Sequence, residues 1–264
     1  MTKVSYSKLS VAIPTYESSR YVNESLKSLI KTQCVDEVVI QDDNSNIENF
    51  RELEKIVGNY NSKLNIKLFR NDENLGAFGN KLLNIKNCNN DLVYQIDSDN
   101  VTASNLDIVI NQIDDRNFMY LPSKIYQFRK FKKMAKFLSL FRKKYRVTFS
   151  NSDRLYDLST FKKGINGEEG VTIDKNINWV LNSGNFIVDR KMYIEVLEPI
   201  FKKKFRPPLD AVAISYYWLK ADKNIKTLKD LKHFHRKRDD SVSFTENNGS
   251  YESLQDYRKK ILNL

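Results

Sequence analysis

Asp91-Leu92-Val93-Tyr94-Gln95-Ile96-Asp97-Ser98-Asp99 is the stretch on which the fold turns. A short run rich in apolar and aromatic residues, followed at once by two carboxylates, reads as a buried strand that delivers acidic groups to its carboxyl end. Three earlier segments have the same form. Leu9-Ser10-Val11-Ala12-Ile13 is a buried-strand pattern stopped by Pro14, and the helix after it, over 21–32, carries apolar residues at 22, 26, 29 and 30. Glu37-Val38-Val39-Ile40-Gln41 predicts a strand ending in Asp42-Asp43-Asn44-Ser45, with a helix running on to about Asn59. Asn65-Ile66-Lys67-Leu68-Phe69 predicts a third strand and Ala77 to Ile85 a third helix. Strands alternating with helices imply a mostly parallel central sheet flanked by helices, an α/β fold of Rossmann-like type. Ligands of such sheets bind outside the carboxyl ends of the strands. Here those ends carry Thr15-Tyr16-Glu17, Asp42-Asp43, Asn71-Asp72-Glu73-Asn74 and Asp97-Ser98-Asp99.

The composition bounds the possibilities around this core. The chain has 264 residues, 41% hydrophobic and 12% aromatic, which excludes disorder along its whole length. No composition shift marks a linker, so one domain is expected over 1–264, with the regular strand–helix alternation in the half 1–100 and a less regular half at 101–264. Met1 to Tyr6 does not resemble a secretory signal, and no run of about 18 apolar residues is present to span a bilayer. A cytoplasmic protein, soluble or peripheral at the inner face of a membrane, is expected. Cys34 and Cys88 stand far apart, which excludes a disulfide framework and a cysteine zinc site. Lys and Arg number 44 against 33 Asp and Glu, and the net charge of +11 favours a polyanionic partner: nucleic acid, a nucleotide, anionic lipid or a phosphorylated substrate.

The second half is less regular. Residues 126–146 combine many basic residues with apolar ones at 128, 131, 134, 138, 141 and 145, the pattern of an amphipathic helix. It fits a solvated helix packed through Phe131, Leu138 and Phe141, a cationic face for an acidic acceptor, or an interfacial helix at a membrane surface. Residues 150–176 read as loop or short hairpins, and the segment from Lys229 as a basic tail. Leu209 to Leu219 is a buried helix with Asp210 in its first turn.

Chemistry concentrates first at Asp97 and Asp99. Two carboxylates one residue apart at a strand end can face one hard divalent cation, Mg²⁺ or Mn²⁺, which prefers oxygen ligands and keeps positions for phosphate oxygens. A polar turn that caps the next helix is the bland alternative.

Val11-Ala12-Ile13-Pro14-Thr15-Tyr16-Glu17, Val38-Val39-Ile40-Gln41-Asp42-Asp43-Asn44-Ser45, Asn74-Leu75-Gly76-Ala77-Phe78-Gly79-Asn80-Lys81 and Gln95-Ile96-Asp97-Ser98-Asp99 come in the order and spacing of family 2 glycosyltransferases. The chain resembles that family over residues 9–100 and through short islands beyond. The resemblance implies a GT-A fold and an inverting, metal-dependent transfer of sugar from a nucleoside-diphosphate donor, expected to be a UDP-sugar. The expected acceptor is a hydroxyl of a glycan or lipid-linked glycan.

Carried over by residue, the resemblance implies that Pro14, Thr15, Tyr16 and Glu17 surround the base and ribose, and that Asp43 accepts a hydrogen bond from the base. Helix capping, the alternative for this acidic pair, fits Asn44 or Ser45 better. Asn74, Gly76 and Asn80 match the stretch under the base. Gly79 stands where the family carries Arg just before the final Asn, so a phosphate or base contact is expected from Lys81 or from elsewhere. Asp97 corresponds to the ribose or metal-proximal acid, with Ser98 beside it at the nucleotide, and Asp99 to the direct metal ligand. Ser183, Gly184 and Asn185 resemble the small-residue turn against the donor sugar, where Gly permits close backbone approach. Asp210 sits where the family carries its catalytic base, although Leu209 replaces the usual preceding Glu. In the last island His235, preferred over His233, is expected as a third metal ligand, with Lys237 and Arg238 neutralising phosphate.

Two other classes fit less well. A sugar-phosphate nucleotidyltransferase needs a Gly-rich triphosphate loop, and residues 11–20 hold no Gly. A basic nucleic-acid-binding protein needs a recognisable module, which the 126–146 stretch does not supply; no nucleic acid is expected as partner.

Overall fold

A computed structural model describes residues 5–128, 146–148, 153–166, 175–202, 205, 207–236 and 247–264. Strands β1 (Leu9–Thr15), β2 (Val35–Asp42), β3 (Ile66–Arg70) and β4 (Leu92–Gln95) alternate with helices α1 (Ser19–Leu29), α2 (Ile47–Gly58) and α3 (Gly76–Lys86). All four strands run parallel, with β1 between β2 and β4 and β3 outside β2. Then β9 (Phe186–Asp189) enters antiparallel between β4 and β6 (Phe118–Phe128), and β10 (Asn224–Arg236) runs parallel to β6 on its far side. The short strand β5 (Val101–Thr102) closes the order β3-β2-β1-β4-β9-β6-β10-β5, while β7 (Arg146–Thr148) pairs with β6 and β8 (Arg154–Tyr156) with β10.

Side-chain alternation explains why both faces of this sheet are covered. Leu9, Val11 and Ile13 of β1, with Val38 and Ile40 of β2, pack against Val22, Leu26 and Leu29 of α1 and Leu53 and Val57 of α2. Ala12, Val39 and Val93 point the other way, into a core with Phe78, Leu82 and Ile85 of α3. That second core also takes in Tyr193 and Leu197 of the helix Arg190–Phe201, and Val212 and Trp218 of the helix Asp210–Lys220. The sheet therefore fixes α3 and the Asp210 helix in one layer, above the carboxyl ends of β1, β2 and β4.

Several sequence expectations are corrected in the second half. Residues 126–128 belong to β6 and 146–148 to β7, paired antiparallel as Lys124 with Thr148, Ile125 with Val147 and Tyr126 with Arg146, so both ends of the expected helix are strand. Residues 129–145, with Phe131, Lys132, Lys133, Leu138 and Phe141, lie outside the described residues. Leu158–Asn166, expected as loop, is a helix: Asp157 accepts from the backbone N–H and hydroxyl of Thr160, and Phe161 is fully buried. The segment from Lys229 is no solvated tail as far as Arg236, because it completes β10 with Leu231 and His233 buried. The cap of α2 is Asn46, whose side chain accepts from the N–H of Asn49, rather than Asn44 or Ser45.

Gly79, the position without the expected Arg, has a packing role. A Cβ there would approach Cε2 of Phe201 to 2.6 Å and Cβ of Leu75 to 3.0 Å, so α3 and the Arg190–Phe201 helix meet through the missing side chain. Gly79→Ala is expected to lower unfolding stability by about 1–3 kcal/mol through overpacking, read from the denaturant midpoint; an unchanged midpoint would show that the helices separate freely.

Candidate active site

The loops after β1 and β2 are braced against each other. Glu17 and Asn44 both adopt left-handed backbone, with φ of 49° and 61°, and for Glu this costs energy that local bonds must offset. Those bonds are present: Glu17 N donates to Ser45 Oγ (2.8 Å), and its carboxylate accepts from the backbone N and Nδ2 of Asn46 (2.6 Å each). Glu17 thus binds the start of α2 in this structure. Asp42 is buried and accepts from the N and Oγ of Ser45, with Arg70 Nε 3.6 Å away. Tyr16 stands half exposed at the lip, beside partly buried Pro14. Thr15, Ser18 and Ser98 form a chain of hydroxyls, with oxygens 2.7 and 2.8 Å apart, that ties the β1 loop to the β4 end.

Behind Asp43 lies a buried amide network. Asp43 Oδ1 accepts from Asn71 Nδ2 (2.8 Å) and from the N–H of Leu75 (2.7 Å). Asn71 also donates to Asn80 Oδ1 (3.1 Å) and accepts from Gln41 Nε2 (2.7 Å), while Asn80 Nδ2 donates to the carbonyls of Gln41 and Thr15. Asn80 is therefore a brace between strand ends. Asn74 accepts from the N–H of Gly76, whose φ of 76° requires the residue without a side chain. Asn71, absent from the sequence-level site, is signalled only by its place at the end of β3.

The centre of the site joins β4, α3 and the Asp210 helix. Lys81, buried on α3, places Nζ 2.9 Å from Asp97 Oδ1 and 2.7 Å from Asp210 Oδ2. Burial opposes the charge of this ammonium, but the two carboxylates outweigh it and hold its pKa above the ordinary lysine range. Asp210 is the first residue of its helix and Leu209 the cap, so Asp210 is not an N-cap aspartate. Gly184 lies against this group: a Cβ there would come within 2.6 Å of Asp97 Oδ2 and 3.2 Å of Lys81 Nζ. Ser183 Oγ donates to the carbonyl of Asn185, and Asn185 Oδ1 accepts from the N–H of Asp97 (2.7 Å). Lys81, Asp97, Asp210, Gly184 and Asn185 are thus brought together.

His233 supports this turn from below. Because Asn185 Oδ1 is taken by Asp97, its NH₂ faces His233 Nε2 at 3.0 Å, and the imidazole must accept there with its proton on Nδ1. Burial, with His235 alongside, holds the pKa of His233 well below the ordinary value. The two rings, two residues apart on one strand, lie on the same face with centroids 6.2 Å apart. Arg236, also missed in the sequence, is a second basic residue that reaches the site: it pairs with Glu24, stacks over Tyr21, and donates Nε to the carbonyl of Asp99 (3.4 Å). Lys237 and Arg238 lie outside the described residues.

The residues that follow β4, Asp97 and Asp99, supply carboxylate oxygens, the donor type a hard divalent cation takes. Among the described residues no group of three or more His, Cys, Asp or Glu converges to hold one. These carboxylates therefore form no closed protein cage, and a cation held by them would take its remaining ligands from outside this group.

A family model described as Glycosyl transferase family 2 matches residues 10–170. No curated protein matches the chain. Among solved structures, the chain is similar to S. aureus TarS 1–349 in complex with UDP-GlcNAc, at 20% identity and TM-score 0.60, covering 96% of this chain and 65% of that one. It is also similar to GalNAc-T7 with UDP, GalNAc and Mn²⁺, at 16% identity and TM-score 0.58, over 88% and 44% of the two chains. A third is the mannosyltransferase PcManGT from Pyrobaculum calidifontis in complex with GDP-Man and Mn²⁺, at 12% identity and TM-score 0.59, over 97% and 64%. The chain spans less than two thirds of the length of each of these structures.

A neutral buried imidazole makes stability depend on pH with a definite sign. The unfolded chain takes up a proton at His233 below about pH 6.5 and the folded one does not, so stability falls as pH drops through that value, by at most about 1.4 kcal/mol per pH unit. His233→Gln is expected to flatten the stability profile between about pH 6.5 and 5; an unchanged slope would show that His233 is charged when folded.

Proposed function

The chain belongs to glycosyl transferase family 2, and from that premise we propose that it transfers a sugar, with inversion, from a nucleoside-diphosphate donor to a hydroxyl of a glycan or lipid-linked glycan. One observation carries this reading: Asp210 from the acceptor-side half stands against Lys81 and Asp97 at the carboxyl ends of the parallel strands. A single displacement needs a base at the acceptor hydroxyl on one face of the donor sugar while the diphosphate leaves from the other, and Asp210 and Asp97 stand close enough together to serve the two sides of one sugar.

In this scheme Pro14, Thr15, Tyr16 and Glu17 border the base and ribose, with Tyr16 as the exposed lip and Glu17 holding the loop in shape. Asp43 receives an N–H of the base, and the Asn71–Asn80 network behind it fixes its carboxylate. A UDP-sugar is the expected donor, in keeping with the UDP-sugar bound by the TarS structure. Ser183, Gly184 and Asn185 lie under the donor sugar, where the bare backbone of Gly184 leaves room.

Asp210 takes the proton from the acceptor hydroxyl as the acceptor oxygen forms its bond to the anomeric carbon on the face opposite the diphosphate. The bond from that carbon to the diphosphate oxygen breaks, and its electron pair leaves with the nucleoside diphosphate. Asp99 and His235, with Asp97 beside them, would hold Mn²⁺ or Mg²⁺ together with the phosphate oxygens, and the cation would supply charge neutralisation to the leaving group. Lys237 and Arg238 are assigned to the same phosphates from the sequence.

No helix among the described residues is long and apolar enough to cross a membrane. A lipid-linked acceptor would meet this protein from the cytoplasmic membrane face, and the basic stretch 126–146 is the segment assigned to that contact.

Melting temperature measured against UDP, GDP, dTDP and CMP, each with and without Mn²⁺ or Mg²⁺, tests the donor site. One nucleotide at about 100 times its Kd is expected to raise the midpoint by about 5–10 °C, and only with the cation. Asp99→Ala is expected to remove the cation-dependent part of the shift and the Mn²⁺-dependent turnover. No shift with any nucleotide would refute the donor assignment, and an unaltered shift in Asp99→Ala would refute the metal assignment.

A further inference from the structure

We propose that Lys81 is a positioning residue for the transfer: its ammonium fixes the carboxylate of Asp210, and restrains Asp97 beside it, before donor or acceptor is bound. The proposal rests on the sugar-transfer reading of the site and gives Lys81, which takes no part in the bond-making and bond-breaking steps above, a role of its own.

Three observations support it. Nζ lies 2.7 Å from Asp210 Oδ2 and 2.9 Å from Asp97 Oδ1, so one cation spans two carboxylates from separate parts of the chain. The Lys81 side chain is 6% exposed, against 29% for Asp97 and 21% for Asp210, so the carboxylates face the cleft and the ammonium stands behind them. Asp210 Oδ2 is itself buried, which leaves Oδ1 to meet an acceptor hydroxyl. Gly184 completes the arrangement, since any side chain there would press on both Asp97 and Nζ.

A lysine with these contacts differs from one that binds phosphate. To reach a diphosphate it would have to abandon Asp210 and leave a partly buried carboxylate without its counter-charge, which is unfavourable. Its effect should therefore fall on the turnover step more than on donor affinity.

The test compares wild type with Lys81→Met, Lys81→Arg and Lys81→Met combined with Asp210→Asn, using hydrolysis of the donor that the nucleotide panel selects. Lys81→Met is expected to lower kcat roughly 100-fold while KM for the donor stays within about threefold. Lys81→Arg keeps the charge and should recover most of that loss. In unfolding, Lys81→Met should melt at least about 3 °C lower than wild type, and adding Asp210→Asn should restore part of the difference, because it removes the uncompensated charge.

Unchanged kcat in folded Lys81→Met would overturn the proposal, as would a rise in KM at constant kcat, which would make Lys81 a donor-binding group. A double variant no more stable than Lys81→Met, or equally unable to fold, would also overturn it. If wild type hydrolyses no donor, it is the transferase reading that fails, and the stability comparison still decides whether Lys81 holds Asp210.

Discussion

The ammonium of Lys81 between Asp97 and Asp210 is the interaction on which the site depends. Without a cation at that point, two carboxylates from different elements would face each other in a partly desolvated space and push β4 and the Asp210 helix apart. Removing one partner of such a buried group typically costs about 3–5 kcal/mol, with less expected here because both carboxylates keep contact with solvent. The lysine is delivered by α3, whose close approach to the Arg190–Phe201 helix needs Gly79, and it is given room by Gly184. Two glycines thus determine where one charge can stand.

The donor side is built on a different principle, the cross-bracing of neighbouring loops by neutral and charged hydrogen bonds. Glu17 holds the N-terminus of α2, Ser18 joins Thr15 to Ser98, and Asn71 and Asn80 lock the ends of β1 and β2 together. Buried networks of this kind rigidify when their members are satisfied. In the proposed function this rigidity serves a nucleotide pocket, since each group is held in position before the ligand arrives. Arg236 extends the same logic to the end of β10, where its contacts with Glu24, Tyr21 and the carbonyl of Asp99 place that strand beside the β4 turn.

The parallel half of the fold was legible because its signal is local. Each strand is a short apolar run and each helix an apolar period, and Asp97, Asp99 and Asp43 follow the strands directly in sequence. The place of Asp210 at the start of its helix was legible from the apolar spacing, but its pairing with Lys81, which the sequence offers only as a phosphate or base contact, was not: a lysine on a helix carries no sign of what lies across from it. The bonds that Glu17 and Asn80 make within the protein were hidden for the same reason, because a side chain that can touch a ligand can also hold a loop. Beyond residue 118 the strands pair across long separations, with β9 inserted antiparallel between β4 and β6, and the 126–146 pattern suggested a helix where β6 and β7 pair at its ends. Apolar spacing does not show that such a stretch is flanked by paired strands at 126–128 and 146–148 when the partners are unknown.

Placing the base opposite the departing diphosphate commits the chemistry to one stereochemical outcome. The direct measurement is ¹H NMR of the sugar first released when wild type hydrolyses its donor, recorded before the anomers interconvert. Asp210 acting as base in a single displacement gives the anomer opposite to that of the donor. Release of the donor's own anomer would contradict it and take from Asp210 the role on which the site has been built.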